Sequence, residues 1–447
     1  LVFGQHAEYR RESGLSEILF YLFIFSIPFL AVSPFQRAFG TKVGYIYAAI
    51  VAVNFLVLLK DYGLRDFYRK TADVPLVRLL ILFLAVNAVS VLVNLPAHGY
   101  NLDAGVELGY RFFSVGVYIL VVILVGRQNL DRVVYIYLAA SVLAALYGLY
   151  ETIGYMLGYE TGQIIQYVVP RLYGTAVEPQ VFGNFLLSSF PLLTCMVLFG
   201  YNRRVFLFSG VIFILFLALV MTISAGAWAG MMGAALVILL FLRGFNLKGV
   251  AVLLLAGLLV SGVVWTVNRY LEPDYYMGLK TAFTVKILGR QPVYKEEKAK
   301  TSVQDNRRSF VDRVWFRQAA WNIFRDHPAL GAGTGNYGRL YNDYRPQGTP
   351  FLDFKVRTHN QYLKILSENG ITGFGLFTIT ALAILFKGLK NYFHADRGNR
   401  ILIIGLTASL IGLAIHGYSF GFLRHNYSWV IAALLVAVSS QVEEYWK

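Results

Sequence analysis

Apolar residues fall along this chain in long blocks separated by short polar stretches, rather than at helical or alternating spacing. A bilayer's hydrocarbon core is about 30 Å thick, and a helix rising about 1.5 Å per residue needs about 20 mostly apolar residues to cross it. The pattern predicts spans at 16–35, 43–59, 75–95, 108–126, 133–157, 180–200, 205–222, 226–243, 248–267, 363–386, 400–420 and 426–441. The block from Val205 to Phe241 is too long for one crossing and is divided at Thr222–Gly226. The expected fold is therefore an all-α integral membrane protein of about 12 transmembrane helices, with a large, partly helical loop between the ninth and tenth. Three regions follow: a nine-helix part (1–267), the loop (268–362) and three C-terminal helices (363–447). The first block has no cleavage pattern and is expected to be retained.

Composition agrees with this class. Hydrophobic residues make up 57% of 447 positions and charged residues 15%, with a mean hydropathy of +0.56; a soluble chain carries about 25% charged residues. The single cysteine, Cys195, excludes an internal disulfide and a Cys-rich metal site, and reads as a small buried hydrophobe. The net charge of +15 reflects topology and anionic lipid as readily as function, and no nucleic-acid module is present. Basic residues favour one set of short loops, among them Arg10, Lys60, Arg65, Arg132, Arg204 and Lys390, over the other, which holds Arg37, Lys42, Arg111, Arg171 and Arg424. By the positive-inside rule both termini are cytoplasmic and the loop 268–362 faces outward.

Within that loop, Lys295–Asn306 reads as charged and mobile, and Arg307–Phe324 as an amphipathic helix ended by His327-Pro328. Phe310, Val314, Trp321 and Phe324 are its expected apolar positions, with Arg313 and Arg317 together on one face at i,i+4. Between Arg269 and Arg357 sixteen Lys and Arg stand against nine Asp and Glu, which suits an anionic ligand or lipid headgroups. The string Gly333 to Gly338, GTGNYG, matches a dinucleotide fingerprint in letters but follows no strand and opens no βαβ unit. It is read as a structural turn. Three polar clusters abut outer helix ends: Pro170–Gln180, the Arg313/Arg317 helix, and Thr358–Tyr362 leading into Ser367–Gly370. Arg171 either snorkels or binds phosphate. His359 precedes a helix, where the dipole disfavours imidazolium, so a neutral ring beside Asn360 can accept a proton. Tyr155, Tyr167, Tyr173, Tyr337, Tyr341 and Tyr344 suit interfacial anchoring or sugar stacking.

Gly331–Tyr337 (GAGTGNY), Thr358–Leu363 (THNQYL) and Glu368–Gly375 (ENGITGFG) resemble the C-terminal signature of bacterial O-antigen ligases and polysaccharide polymerases. The Arg313 helix ending in Asp326-His327-Pro328, and Arg171-Leu-Tyr-Gly-Thr followed by Glu178-Pro179, are similar to that family too. The resemblance implies a metal-independent, cofactor-free, inverting glycosyltransferase of the bacterial inner membrane with its site on the periplasmic side. Its donor would be a glycan on undecaprenyl diphosphate, and its acceptor a sugar hydroxyl. His359 would be the catalytic base, Arg171 and Arg313 would hold the diphosphate, and Glu178, Arg317 and Asn360 would support them. A ligase would use lipid A–core as acceptor; a polymerase would use another lipid-linked glycan. Many relatives carry Ser-Arg-Gly-Ala at the helix break after the seventh span where this chain has Ser224-Ala225-Gly226-Ala227, so Ala225 cannot supply that guanidinium. A lipid-linked glycan transporter is the alternative from another class. It would call for midplane ionisable groups and paired broken helices, neither of which stands out in the sequence.

Overall fold

The structure, a computed structural model, describes residues 14–29, 43–98, 102–161, 169–176, 178–201, 205–241, 247–272, 275, 279–280, 283, 297–352 and 356–446. Arg10, Arg37, Lys42, Arg204 and Tyr167 lie outside them. The helices are α1 (Gly14–Ser26), α2 (Val43–Asp73), α3 (Val77–His98), α4 (Leu102–Leu124), α5 (Leu130–Met156), α6 (Pro179–Leu198), α7 (Val205–Met221), α8 (Ala225–Leu240), α9 (Leu247–Thr266), α10 (Glu297–Asp326), α11 (Tyr337–Tyr344), α12 (Gln361–Tyr392), α13 (Arg397–His416) and α14 (Asn426–Trp446). There is no strand among the described residues. By length and composition α3, α4, α5, α6, α9, α12 and α13 can each cross a membrane, while α1, α7 and α8 contribute shorter apolar stretches.

Position in the bundle follows from what each helix carries all round. In the apolar stretch of α6, 94% of residues are buried, against 17% in α9, so α6 is central and α9 peripheral. Small residues let the central helices approach. A Cβ on Gly230 of α8 would stand 2.5 Å from the Gly412 carbonyl oxygen of α13, and Gly405 of α13 faces Leu192 and Cys195 of α6. In an apolar solvent such close contact, rather than water exclusion, drives helix association. Cys195 is buried at that crossing, as a small hydrophobe should be.

Helices are interrupted at Gly63 inside α2 (φ +74°, ψ +161°) and at two places near the site. The break between α7 and α8 falls where the sequence divides the long block, with Ile223 in the left-handed region at φ +47°. The other interruption, at Gly370 inside α12, is absent from the continuous span expected over 363–386. Its φ of +62° and ψ of −166° are open to glycine alone. The protein's own groups fill both of these breaks.

The segment between α9 and α12 packs as a small lobe with its own core of Phe316, Ala319, Ala320, Ile323, Ala332, Tyr337, Leu340, Tyr341 and Val356. Two expectations are corrected here. Helix α10 begins at Glu297, inside the stretch read as mobile. Its buried face is Phe316, Ala319, Ala320 and Ile323, whereas Val314 and Trp321 are exposed. The alanines give way to the Tyr337 and Tyr341 rings of α11, so the small-residue face packs and the bulky one does not. Those two tyrosines are accordingly core residues, not interfacial anchors.

Candidate active site

The glycine turn 331–335 is built into the break of α12. Ala332 N–H donates to the Ser367 carbonyl at 2.9 Å and Gly333 N–H to the Glu368 carbonyl at 3.1 Å. Ile371 N–H, freed by the break, donates to the Pro328 carbonyl at 2.8 Å. Side chains of α3 complete the joint: Ser90 Oγ donates to Leu330 and Glu368 carbonyls, and Asn94 Nδ2 to the Gly331 carbonyl. A Cβ on Gly331 would lie 2.3 Å from Asn369 N, and one on Gly370 2.3 Å from the Ala329 oxygen. These glycines serve backbone-to-backbone packing, which fits the structural-turn reading.

That joint fixes the chain entering α12. Asn360 is the N-cap, its Oδ1 accepting from Leu363 N–H at 2.9 Å. His359 itself holds φ +47°, a strained setting for a residue with a Cβ, and its half-buried ring stacks on Phe316 of α10 at 6.1 Å between centroids. Burial, with the Arg313, Arg357 and Arg317 guanidiniums, pushes the imidazole down to about 3. The ring is thus neutral, as the sequence suggests, but burial and three cations hold it so. Arg313 also lies within electrostatic reach of His416, at the end of α13.

The remaining residues separate into two groups. Arg317 is committed to the loop after α13: its Nη2 donates to the Tyr418 carbonyl at 3.1 Å and its guanidinium lies 4.3 Å over the Tyr418 ring. Glu178, at the start of α6, pairs with Arg357 at 3.7 Å, two residues before His359. Arg171 is buried against the α7–α8 break, donating from Nε to the Thr222 carbonyl at 2.9 Å and from Nη2 to the Ile223 carbonyl at 2.8 Å. Tyr275 Oη reaches the neighbouring Met221 carbonyl. These carbonyls end α7, where the macrodipole is negative, so a guanidinium is well placed there. Arg313, Arg317 and Arg357 thus lie within electrostatic reach of His359, and Arg171 stands at the α7–α8 break.

Sequence reasoning missed a cluster at the same end of the bundle. Glu107 of α4, 1% exposed, accepts from Lys364 Nζ at 2.7 Å, Arg424 Nε at 2.5 Å and Arg111 Nη2 at 3.4 Å. Buried Glu368 lies 4.0 Å from the same lysine. A charge this deep requires partners, and Glu107 ties α4 to the first turn of α12 and to the loop before α14. The i,i+4 pair Glu107/Arg111 inside an apolar block was the available signal. Arg111 and Arg424 were read only for topology.

Fold and site together define a multi-span, all-helical membrane protein with a half-buried imidazole within reach of several guanidiniums at one end of its bundle. Residues 210–378 match the family model described as O-antigen ligase. This stretch, from α7 through much of α12, is similar to that family and contains Arg313, Arg317, His359 and Asn360, while Arg171 and Glu178 precede it. The match supports a function of the O-antigen ligase and polymerase kind. No curated protein matches the chain.

Proposed function

We propose that this protein is an inner-membrane glycosyltransferase that moves a glycan from a polyprenyl diphosphate, of the undecaprenyl type, to a sugar hydroxyl on the outward face. The observation that carries the proposal is the imidazole of His359, stacked on Phe316 at the mouth of α12 and within electrostatic reach of Arg313, Arg317 and Arg357. In the proposed reaction the acceptor oxygen attacks the anomeric carbon opposite the leaving group, inverting that centre. The bond from that carbon to the diphosphate breaks, and its electron pair stays on the diphosphate oxygen. The acceptor's proton passes to His359. Guanidiniums can carry the developing charge bidentately without a metal, and Arg313 and Arg171 are assigned this part.

An apolar groove of about 940 Å³ between α7 and α9 supports a lipid-borne donor. Phe216, Val220, Leu254 and Leu258 line it, and it ends near Trp265 and Asn268. Val220 lies two residues before Thr222, whose carbonyl Arg171 holds, so a chain lying in the groove would bring its headgroup toward Arg171. The basic loops support termini on the cytoplasmic side and a site on the periplasmic side. A lipid A–core acceptor, the ligase reaction, is our first assignment, with a second lipid-linked glycan as the polymerase alternative. Purified protein given lipid-linked glycan and each acceptor separately is expected to glycosylate lipid A–core, and His359→Ala to make no product while melting like wild type. Turnover of His359→Ala at the wild-type rate would remove the imidazole from the mechanism.

A further inference from the structure

His416 closes α13 with its ring 1% exposed and stacked on Phe420 at 5.2 Å between centroids. Its Nδ1 lies 2.8 Å from Asn184 Nδ2 of α6. Asn184 Oδ1 in turn accepts from Tyr427 Oη at 2.7 Å. A phenol hydrogen donated to the amide oxygen leaves the amide nitrogen facing the imidazole as a donor. Nδ1 is then the acceptor, and the ring proton resides on Nε2. The tautomer is set by two buried neighbours rather than by solvent.

The protonated edge faces the α7–α8 break. A Cβ on Gly226, in the first turn of α8, would stand 2.9 Å from Nε2 and 2.2 Å from Ser419 Oγ, so only glycine lets the imidazole come this close. Helix α8 starts without a side-chain cap. Three residues before Gly226, the Ile223 carbonyl is held by Arg171, and Arg313 acts electrostatically on the ring. An N–H donor of fixed direction therefore stands beside the break that Arg171 holds and within electrostatic reach of Arg313.

We propose that His416 is a further catalytic residue, donating a hydrogen bond from Nε2–H to the departing diphosphate while keeping its proton. This rests on the transferase reading above. Charge grows on the leaving oxygen as the glycosyl bond breaks, so a preset donor there favours the transition state over the bound donor substrate. His359 takes the acceptor's proton, and the two imidazoles have opposite hydrogen-bonding roles.

Asn184→Asp is the decisive variant. Its carboxylate accepts from both neighbours, drawing the ring proton to Nδ1 and turning Nε2 into an acceptor that repels the diphosphate. Transfer from polyprenyl-diphosphate glycan to the acceptor is measured for wild type, Asn184→Asp, His416→Gln and His359→Ala, with thermal melting in detergent and ¹⁵N spectra of the histidines. Asn184→Asp is expected to lower kcat about 10²–10³-fold with KM within a few-fold, with the His416 resonances exchanging tautomer. His416→Gln, which keeps an N–H, should stay within about tenfold of wild type. Wild-type kcat in Asn184→Asp, with His359→Ala inactive, would overturn the role of His416 and leave the transferase reading intact. Loss of activity that follows loss of the melting transition would make His416 a packing residue and also overturn it. A wild-type protein that transfers to no acceptor would end both readings.

Discussion

At the residue scale the sharpest consequence concerns His359. Burial and neighbouring cations both penalise imidazolium, so its folded value of about 3 lies below the ordinary one near 6.5. Such a ring is neutral at every physiological pH but is a weak base for an alcohol. A diphosphate bound to Arg313 would cancel part of the cationic field, which makes protonation easier and raises the value; burial continues to oppose it. The base would then strengthen only once the donor is in place. Since kcat/KM reports the free enzyme and kcat the bound complex, the acid limb of kcat is expected at least about one pH unit above that of kcat/KM. Rate profiles taken downward from pH 8 check this, and coincident limbs would detach the diphosphate from Arg313. The residue types and their spacing were legible in the sequence; the depressed basicity was not, because Arg313, Arg317 and Arg357 come from two segments that only folding joins.

At the scale of elements, the break in α12 is the joint on which the site rests. Gly370 and Gly331 pack backbone to backbone, and either Cβ would meet main-chain atoms at 2.3 Å. Gly370→Ala combines an unfavourable φ with overpacking against a backbone that cannot yield, each costing about 1–3 kcal/mol. A clear drop in thermal midpoint in detergent is expected, with transfer lost because the turn carrying His359 shifts. Gly375, also in α12, has nothing within 4 Å of a built Cβ. Gly375→Ala should therefore melt at or slightly above the wild-type temperature, and an equal loss in both variants would show that the break is not special. The glycines could be seen in the sequence, but their partners could not. Gly370 reads as the end of a polar cluster at the mouth of a span, and nothing beside it in the sequence announces the turn at 329–333 that packs against it. The same limit explains α10, where the apolar count favoured Val314 and Trp321 while the packed face uses alanines.

For the whole molecule, the α7–α9 groove offers a test of lipid delivery separate from the chemistry. Gly257 lines it and has open space beyond its Cα. Gly257→Trp should fill the groove without disturbing the bundle. The expected result is a rise of about tenfold or more in KM for a long-chain polyprenyl donor, with kcat nearly unchanged and a short-chain donor handled normally. An unchanged KM for the long-chain donor would place the lipid elsewhere. This test reads the groove's contribution whether the acceptor is lipid A–core or a second lipid-linked glycan.

The sequence by itself determined the membrane class, the helical blocks, the division of the long block at Thr222–Gly226, and the residue types able to grip a diphosphate or take a proton. These follow from local chemistry, since a bilayer admits apolar helices by length and composition alone. Only the tertiary structure decided which charges meet. Glu107 gathers Lys364 and Arg424 from positions more than 250 residues away, and Asn184 fixes the tautomer of His416 from another helix. Desolvation and hydrogen-bond direction depend on neighbours in space, and a linear order of residues does not contain them.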